Sequence, residues 1–215
     1  MKIGLMVPVN NTTMERELLA WRPGSTCVTL RVGRGKGLLT RDTFAEYKAG
    51  ALELAASFTQ HDVDVVVYGC TAAGFMMGPQ ANAAFAAELA RTTGKPVVTT
   101  AQSMVRAVRA SNAGEIAVVT PYSDEVNSQL TDYLAASGVR VKRLNSFRAP
   151  DTEALGRITS SEVQALARKT MGDDCDGLFI ACTQLPTLEI LDGLRSESAR
   201  PVWSSVNATA AAVPG

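Results

Sequence analysis

Two cysteines stand in the same local setting, and they offer more chemistry than any other feature of the chain. Cys70 closes the run Val65-Val66-Val67-Tyr68-Gly69, and Cys182 closes Leu178-Phe179-Ile180-Ala181; each is followed by a threonine, Thr71 or Thr183. A thiolate is a nucleophile and a base, and a thiol is a general acid. The reference pKa of cysteine is about 8.5. A strand end beside a helix N-terminus lowers it, because unpaired N–H groups and the helix dipole favour the anion. Two such thiols facing each other suit two reactions. In one, a thiolate removes a proton from one face of a carbon and the other thiol delivers a proton to the opposite face, which is racemisation or epimerisation. In the other, a thiolate adds to an activated double bond, the new single bond rotates, and elimination releases the geometric isomer. Neither needs a cofactor or a metal.

The elements around the cysteines repeat. Ile3-Gly4-Leu5-Met6-Val7-Pro8 resembles Ile116-Ala117-Val118-Val119-Thr120-Pro121, and Pro96-Val97-Val98-Thr99-Thr100 resembles Pro201-Val202-Trp203-Ser204-Ser205. These pairs occur in the same order as the two Cys-Thr pairs. Apolar runs bounded by turn residues read as buried strands. In parallel α/β sheets, ligands sit outside the carboxyl ends of such strands. The pattern predicts two pseudo-symmetric, doubly wound α/β lobes with parallel sheets, Rossmann-like in layout. One lobe covers 1–112 and the other 113–215, jointed at Asn112-Ala113-Gly114, with the last segment, 200–215, a candidate to pack back on the first lobe. About a pseudo-two-fold axis the thiols would face each other across a cleft.

Within this frame residues 2–7 read as the first strand. The loop Pro8-Val9-Asn10-Asn11-Thr12-Thr13 leads to a helix capped by Asn11 or Thr12 and gathers polar groups suited to a carboxylate. Further strands are expected over Thr26–Val32, Val63–Gly69, Pro96–Thr99, Ile116–Thr120, Val139–Leu144, Gly177–Ala181 and Val202–Ser204. Helices are expected over 43–59, Gly78–Thr92, Ser103–Ala110, 124–136 after a Ser123 cap, from Ser160 or Ser161 to Thr170, and 186–195. Ala72, Ala73 and Gly74 read as turn residues, Ala149 to Thr152 as a loop, and Thr209–Gly215 as the stump of a final helix. Gly33-Arg34-Gly35-Lys36-Gly37 is a basic loop, either solvated or a lid over an anionic ligand, and too short for a phosphate-binding glycine loop.

Bulk properties narrow the function classes. The 215 residues are 46% apolar and 20% charged, with 21 basic and 21 acidic side chains and zero net charge. That balance leaves no electrostatic footprint for nucleic acid or an anionic membrane. No apolar run approaches the roughly 20 residues of a spanning helix, and the N-terminus runs directly into a strand pattern without a signal peptide. A cytoplasmic protein is expected. Cys27 and Cys175 lack the repeated setting and read as core, since free cysteine is commonly buried and inert. The single histidine, His61, lies in a helix-to-strand connection and reads as solvated. Four cysteines without C-x-x-C spacing and one histidine argue against a zinc site and against Cys-His or Ser-His-Asp hydrolysis.

Gly4-Leu5-Met6-Val7-Pro8-Val9-Asn10-Asn11-Thr12-Thr13-Met14-Glu15 resembles the opening motif of the maleate cis-trans isomerases. These belong to the aspartate/glutamate racemase superfamily, together with arylmalonate decarboxylase. Thr120-Pro121-Tyr122 and Ala181-Cys182-Thr183-Gln184-Leu185-Pro186-Thr187-Leu188 are similar to further motifs of the family, and the resemblance runs from residue 2 to about 207. It implies an Asp/Glu racemase-like fold, usually oligomeric, acting on a small dicarboxylate without cofactor. It implies Cys70 as the nucleophile and Cys182 as its partner acid/base, Asn11 on a substrate carboxylate, and Tyr122 on a carboxylate or the enediolate-like intermediate. Thr12, Thr71 and Thr183 complete the carboxylate cradles. The chain departs from the isomerases at Pro150-Asp151-Thr152, where they carry an asparagine, and Asp151 there would repel a carboxylate. Alternatives are a two-thiol racemase, an arylmalonate-type decarboxylase using Cys182 alone, and a binding protein without turnover, against which the paired thiols speak.

Overall fold

The computed structural model describes residues 1–33 and 37–215; positions 34–36 of the Gly33–Gly37 loop, and with them the lid reading, lie outside the described residues. The chain folds into two α/β lobes, each with four parallel strands. In the first, strands run in the order β2 (Thr26–Val32), β1 (Lys2–Pro8), β3 (Val65–Tyr68), β4 (Val97–Thr99). In the second the order is β6 (Arg140–Ser146), β5 (Glu115–Thr120), β7 (Gly177–Ile180), β8 (Val202–Ser204). The central strands are buried on both faces, which is why they read as continuous apolar runs rather than alternating ones.

The strand order explains where the chemistry gathers. β1 pairs with β2 on one side and β3 on the other, with Leu5 opposite Val67 and Met6 opposite Tyr68. Connections from β1 and β3 therefore leave toward opposite sides and open a crevice at their carboxyl ends. Asn11 follows β1 and Cys70 follows β3. In the second sheet, with Val118 opposite Phe179 and Val119 opposite Ile180, Tyr122 follows β5 and Cys182 follows β7. The two crevices face a common cleft.

The helices are α1 (Met14–Trp21), α2 (Arg41–Ala55), α3 (Thr71–Met76), α4 (Pro79–Thr93), α5 (Thr100–Ala110), α6 (Asp124–Ala136), α7 (Thr152–Arg157), α8 (Ser160–Thr170), α9 (Leu191–Ser198) and α10 (Ser205–Ala212). Several differ from expectation. Ala72, Ala73 and Gly74 do not form a turn; they lie within α3, the short helix after Cys70. Their small size serves packing, since a Cβ on Gly74 would lie 2.6 Å from the Ala101 Cβ on α5 and 2.8 Å from Asn82 Nδ2. The loop at Thr152 is also helical, because Asp151 Oδ1 accepts the Ala154 N–H at 2.7 Å and caps α7. Thr159, rather than Ser160 or Ser161, caps α8, in a capping box with Glu162. The helix expected over 186–195 begins at Leu191.

The last segment is divided between the lobes. β8 stays in the second sheet, while Val206 and Ala210 of α10, with Val213 just after it, join a core with Ile3, Leu5, Val7, Leu18 and Val67 of the first lobe. α10 also packs on α5, so each lobe is covered in part by the helix after the other's repeated Pro-Val strand. Among the described residues no helix is long and apolar enough to cross a membrane.

Candidate active site

The loops after β1 and β7 are stitched together across the lobes. Asn11 Oδ1 accepts the N–H groups of Thr13 and Met14 at 3.1 and 2.9 Å, which satisfies the exposed start of α1. Its Nδ2 donates to Thr183 Oγ1 at 3.1 Å, and Thr183 Oγ1 donates on to the Gly69 carbonyl at 3.0 Å. Nδ2 carries a second hydrogen, which none of these bonds uses. Gln184 clasps the same loop: its Oε1 accepts the Thr12 N–H at 2.8 Å, its Nε2 donates to Thr12 Oγ1 at 3.0 Å, and its carbonyl accepts Thr13 Oγ1 at 2.9 Å. Deeper still, Glu17 is fully buried. Its carboxylate accepts the Thr187 N–H at 2.7 Å, the Leu188 N–H at 3.1 Å and Thr187 Oγ1 at 2.8 Å. A buried carboxylate is tolerable when several donors satisfy it. This one ties α1 to the turn that follows Cys182.

Between the lobes lies a cavity of about 540 Å³. Cys70 and Cys182 both line it, at 5% and 8% exposure. Asn11, Thr71, Tyr122, Thr183 and Gln184 join them, and Leu38, Leu39, Val126, Pro150 and Leu155 form a more apolar side. Gly69 lets the β3 chain pass close beneath β1: a Cβ there would sit 2.8 Å from the Met6 carbonyl oxygen and 2.5 Å from the Met14 sulfur. Cys70 then occupies the position before the first turn of α3. The Cys182 sulfur accepts the Gln184 N–H at 3.5 Å.

Tyr122 is held from behind. Its carbonyl accepts Asn127 Nδ2 at 3.1 Å and Ser146 Oγ at 2.6 Å, and Phe75 meets its ring edge-on at 5.5 Å. The hydroxyl lies beside the Cys182 and Thr71 side chains but, among the described residues, makes no hydrogen bond of good geometry. Burial pushes its pKa well above the usual tyrosine value, and the neighbouring Cys182 and Cys70 push it further. The phenol therefore stays protonated, a donor beside the two cysteines that line the cavity.

The remaining candidates fall as follows. Thr71 donates its hydroxyl to Ser205 Oγ at 3.0 Å, at the start of α10. Thr12 is exposed and occupied by Gln184, and it is not among the residues lining the cavity. The Asp151 carboxylate is turned into the α7 cap, away from the role of a charge facing the substrate; Thr152 is the residue of that loop that lines the cavity. Cys175 lies near Asp174 at the far ends of the strands and Cys27 in β2, both outside the cavity. His61 is exposed, against the edge of Phe58. Sequence reasoning missed Ser205, Glu17 and the structural part of Gln184, whose partners lie 134 to 172 positions away. The residue types alone carried no signal for these contacts.

Comparison with known proteins places this architecture. A family model described as arylmalonate decarboxylase matches residues 3–213. The maleate isomerase of Nocardia farcinica is 30% identical, over 97% of this chain and 87% of its own. The crystal structure of the maleate isomerase Iso from Pseudomonas putida S16 superposes with a TM-score of 0.92 at 26% identity, covering 99% of this chain and 90% of that one. A cysteine-to-serine mutant of the Nocardia farcinica maleate cis-trans isomerase, solved with a covalently bound succinylcysteine intermediate, superposes with a TM-score of 0.90 at 25% identity, covering 99% and 90%. With a family model spanning nearly the whole chain and a 30% identical isomerase relative matched over 97% of it, this protein belongs to the arylmalonate decarboxylase family and is an enzyme.

Proposed function

We propose that this enzyme catalyses the cofactor-independent cis-trans isomerisation of a small dicarboxylate, with maleate to fumarate as the named case. The observation that carries the reading is the opening of two cysteines, from equivalent strand ends of two lobes, into one cavity beside a neutral tyrosine hydroxyl. The Cys70 thiolate adds to C2 of maleate, and the π pair moves toward C3 and its carboxylate. The enediolate-like anion is met by the Tyr122 hydroxyl and by the unused hydrogen on Asn11 Nδ2; such prepositioned donors are usually the largest single catalytic effect. The Cys182 thiol protonates C3, leaving a succinyl thioether on Cys70. Rotation about C2–C3 brings the carboxylates apart. The Cys182 thiolate then takes the C3 proton back, and elimination of the Cys70 thiolate releases fumarate. Thr71 and Thr183 border the two sulfurs and hold the loops that present them.

The succinylcysteine in the Nocardia farcinica relative supports covalent addition of this kind. A Cys70 thiol lining the same cavity as Cys182 favours isomerisation over decarboxylation by Cys182 alone. The test is proton NMR of the purified protein with maleate, without metal or cofactor. Fumarate should appear, and Cys70→Ala and Cys182→Ala should each lose nearly all turnover. Unchanged maleate, or a wild-type rate in either variant, would overturn the proposal.

A further inference from the structure

The cavity has a charged rim that the reaction above does not use. Arg148 and Asp124 both line it, and Arg148 Nε donates to Asp124 Oδ1 at 2.8 Å. Among the described lining residues, Arg148 is the one cation and Asp124 the one carboxylate. Arg148 has φ +47°, a backbone conformation unfavourable for residues other than glycine and asparagine. The surroundings enforce it: the Arg148 N–H donates to Ser146 Oγ at 3.1 Å, and Ser146 Oγ donates to the Tyr122 carbonyl at 2.6 Å. The strained residue is thus coupled to the loop that carries the tyrosine. Strain of this sort gathers at functional sites, where the fold over-determines it.

We propose that Arg148 is a substrate-binding residue that takes the second carboxylate of the dicarboxylate, exchanging Asp124 for it. This rests on the dicarboxylate reading. A dianion brings two charges, while among the described residues the groups around the two sulfurs are neutral donors. A guanidinium fork is the side chain that best matches a carboxylate. Asp124 can release Arg148 readily because it is the first residue of α6, where free N–H groups and the helix dipole compensate its charge. Asp124 therefore acts as a competitor that tunes affinity, holding the cation in place until substrate arrives.

The experiment uses the full chain and a ligand that cannot react. Succinate and monomethyl succinate are titrated by NMR into the wild type, Arg148→Asn (asparagine tolerates positive φ), Arg148→Lys and Asp124→Asn; KM and kcat for maleate follow. Arg148→Asn should weaken succinate about fivefold, corresponding to about 1 kcal/mol for a partly exposed ion pair, and leave the half-ester unchanged. Arg148→Lys should restore part of the loss, and Asp124→Asn should tighten succinate. KM for maleate should rise by the same factor with kcat within about twofold. Equal losses for both ligands would mark Arg148 as merely structural, and unaltered succinate binding, or none in the wild type, would overturn the inference. If the wild type binds succinate but turns over no maleate, the isomerase reading fails, and the titration alone still decides the part played by Arg148.

Discussion

Replacing Tyr122 by phenylalanine should move activity and stability in opposite directions. The hydroxyl is buried and, among the described residues, has no hydrogen bond of good geometry, yet it lies beside both cysteines. Removing a well-formed buried hydrogen bond costs about 1 kcal/mol. Here there is none to lose, and a polar atom that burial penalises is removed, so stability should hold or rise by up to about 1 kcal/mol. In a chain of this length that corresponds to a melting temperature unchanged or raised by about 2–4 °C. The transition state tells the other way. Loss of one prepositioned donor to a developing oxyanion costs about 3 kcal/mol, roughly a hundredfold in kcat. Thermal melts and NMR-monitored isomerisation on the same preparations measure both. Because burial and the two cysteines hold the phenol protonated, the wild-type rate should show no loss of this donor as pH passes through the ordinary tyrosine value of about 10. A Tyr122→Phe variant with kcat within about threefold of wild type, or with a melting temperature several degrees lower, would refute the picture of an unsatisfied donor waiting for charge.

Three further outcomes follow from the packing. Glu17→Ala should destabilise by about 3 kcal/mol, since it strands the N–H groups of Thr187 and Leu188 in the interior; urea unfolding reads this, and a loss under about 1 kcal/mol would show the clamp to be unimportant. Gly69→Ala should cost about 1–3 kcal/mol and lower kcat as well, because the new methyl meets a backbone oxygen directly below Cys70; wild-type behaviour in both would contradict the close approach. Burial, with Glu15 adding, pushes the Cys27 thiol up to about 11 from its ordinary 9.0. Between those values the unfolded chain releases a proton that the folded one keeps, so stability falls as pH rises from 9 to 11. Urea midpoints across that range should fall less steeply for Cys27→Ala than for wild type, and parallel slopes would contradict the assignment.

Much of the fold was legible because parallel strands buried on both faces must be apolar throughout, so Val65 to Tyr68 and Gly177 to Ile180 announce themselves. The repetition of those runs, each closed by Cys-Thr, located both thiols without coordinates. The helices missed were short ones. Ala72 to Gly74 look like turn residues because their smallness answers to α5, a partner distant in sequence; Asp151 looks like a charge facing substrate because its capping role depends on a loop direction that composition does not encode.

The sequence by itself determined the two-lobed α/β plan, the equivalence of Cys70 and Cys182, and the place of Asn11 and Tyr122 at the matching strand ends. Local pattern suffices there, since periodicity and turn residues act over a few positions. Only the tertiary structure decided that Gln184 occupies Thr12, that Glu17 clamps the turn after Cys182, that Ser205 reaches Thr71, and that Arg148 and Asp124 share the rim of the cavity. Each of these is a contact between elements remote in the chain, made when two sheets and their exchanged helices close on one another, and no single segment carries the information that creates it.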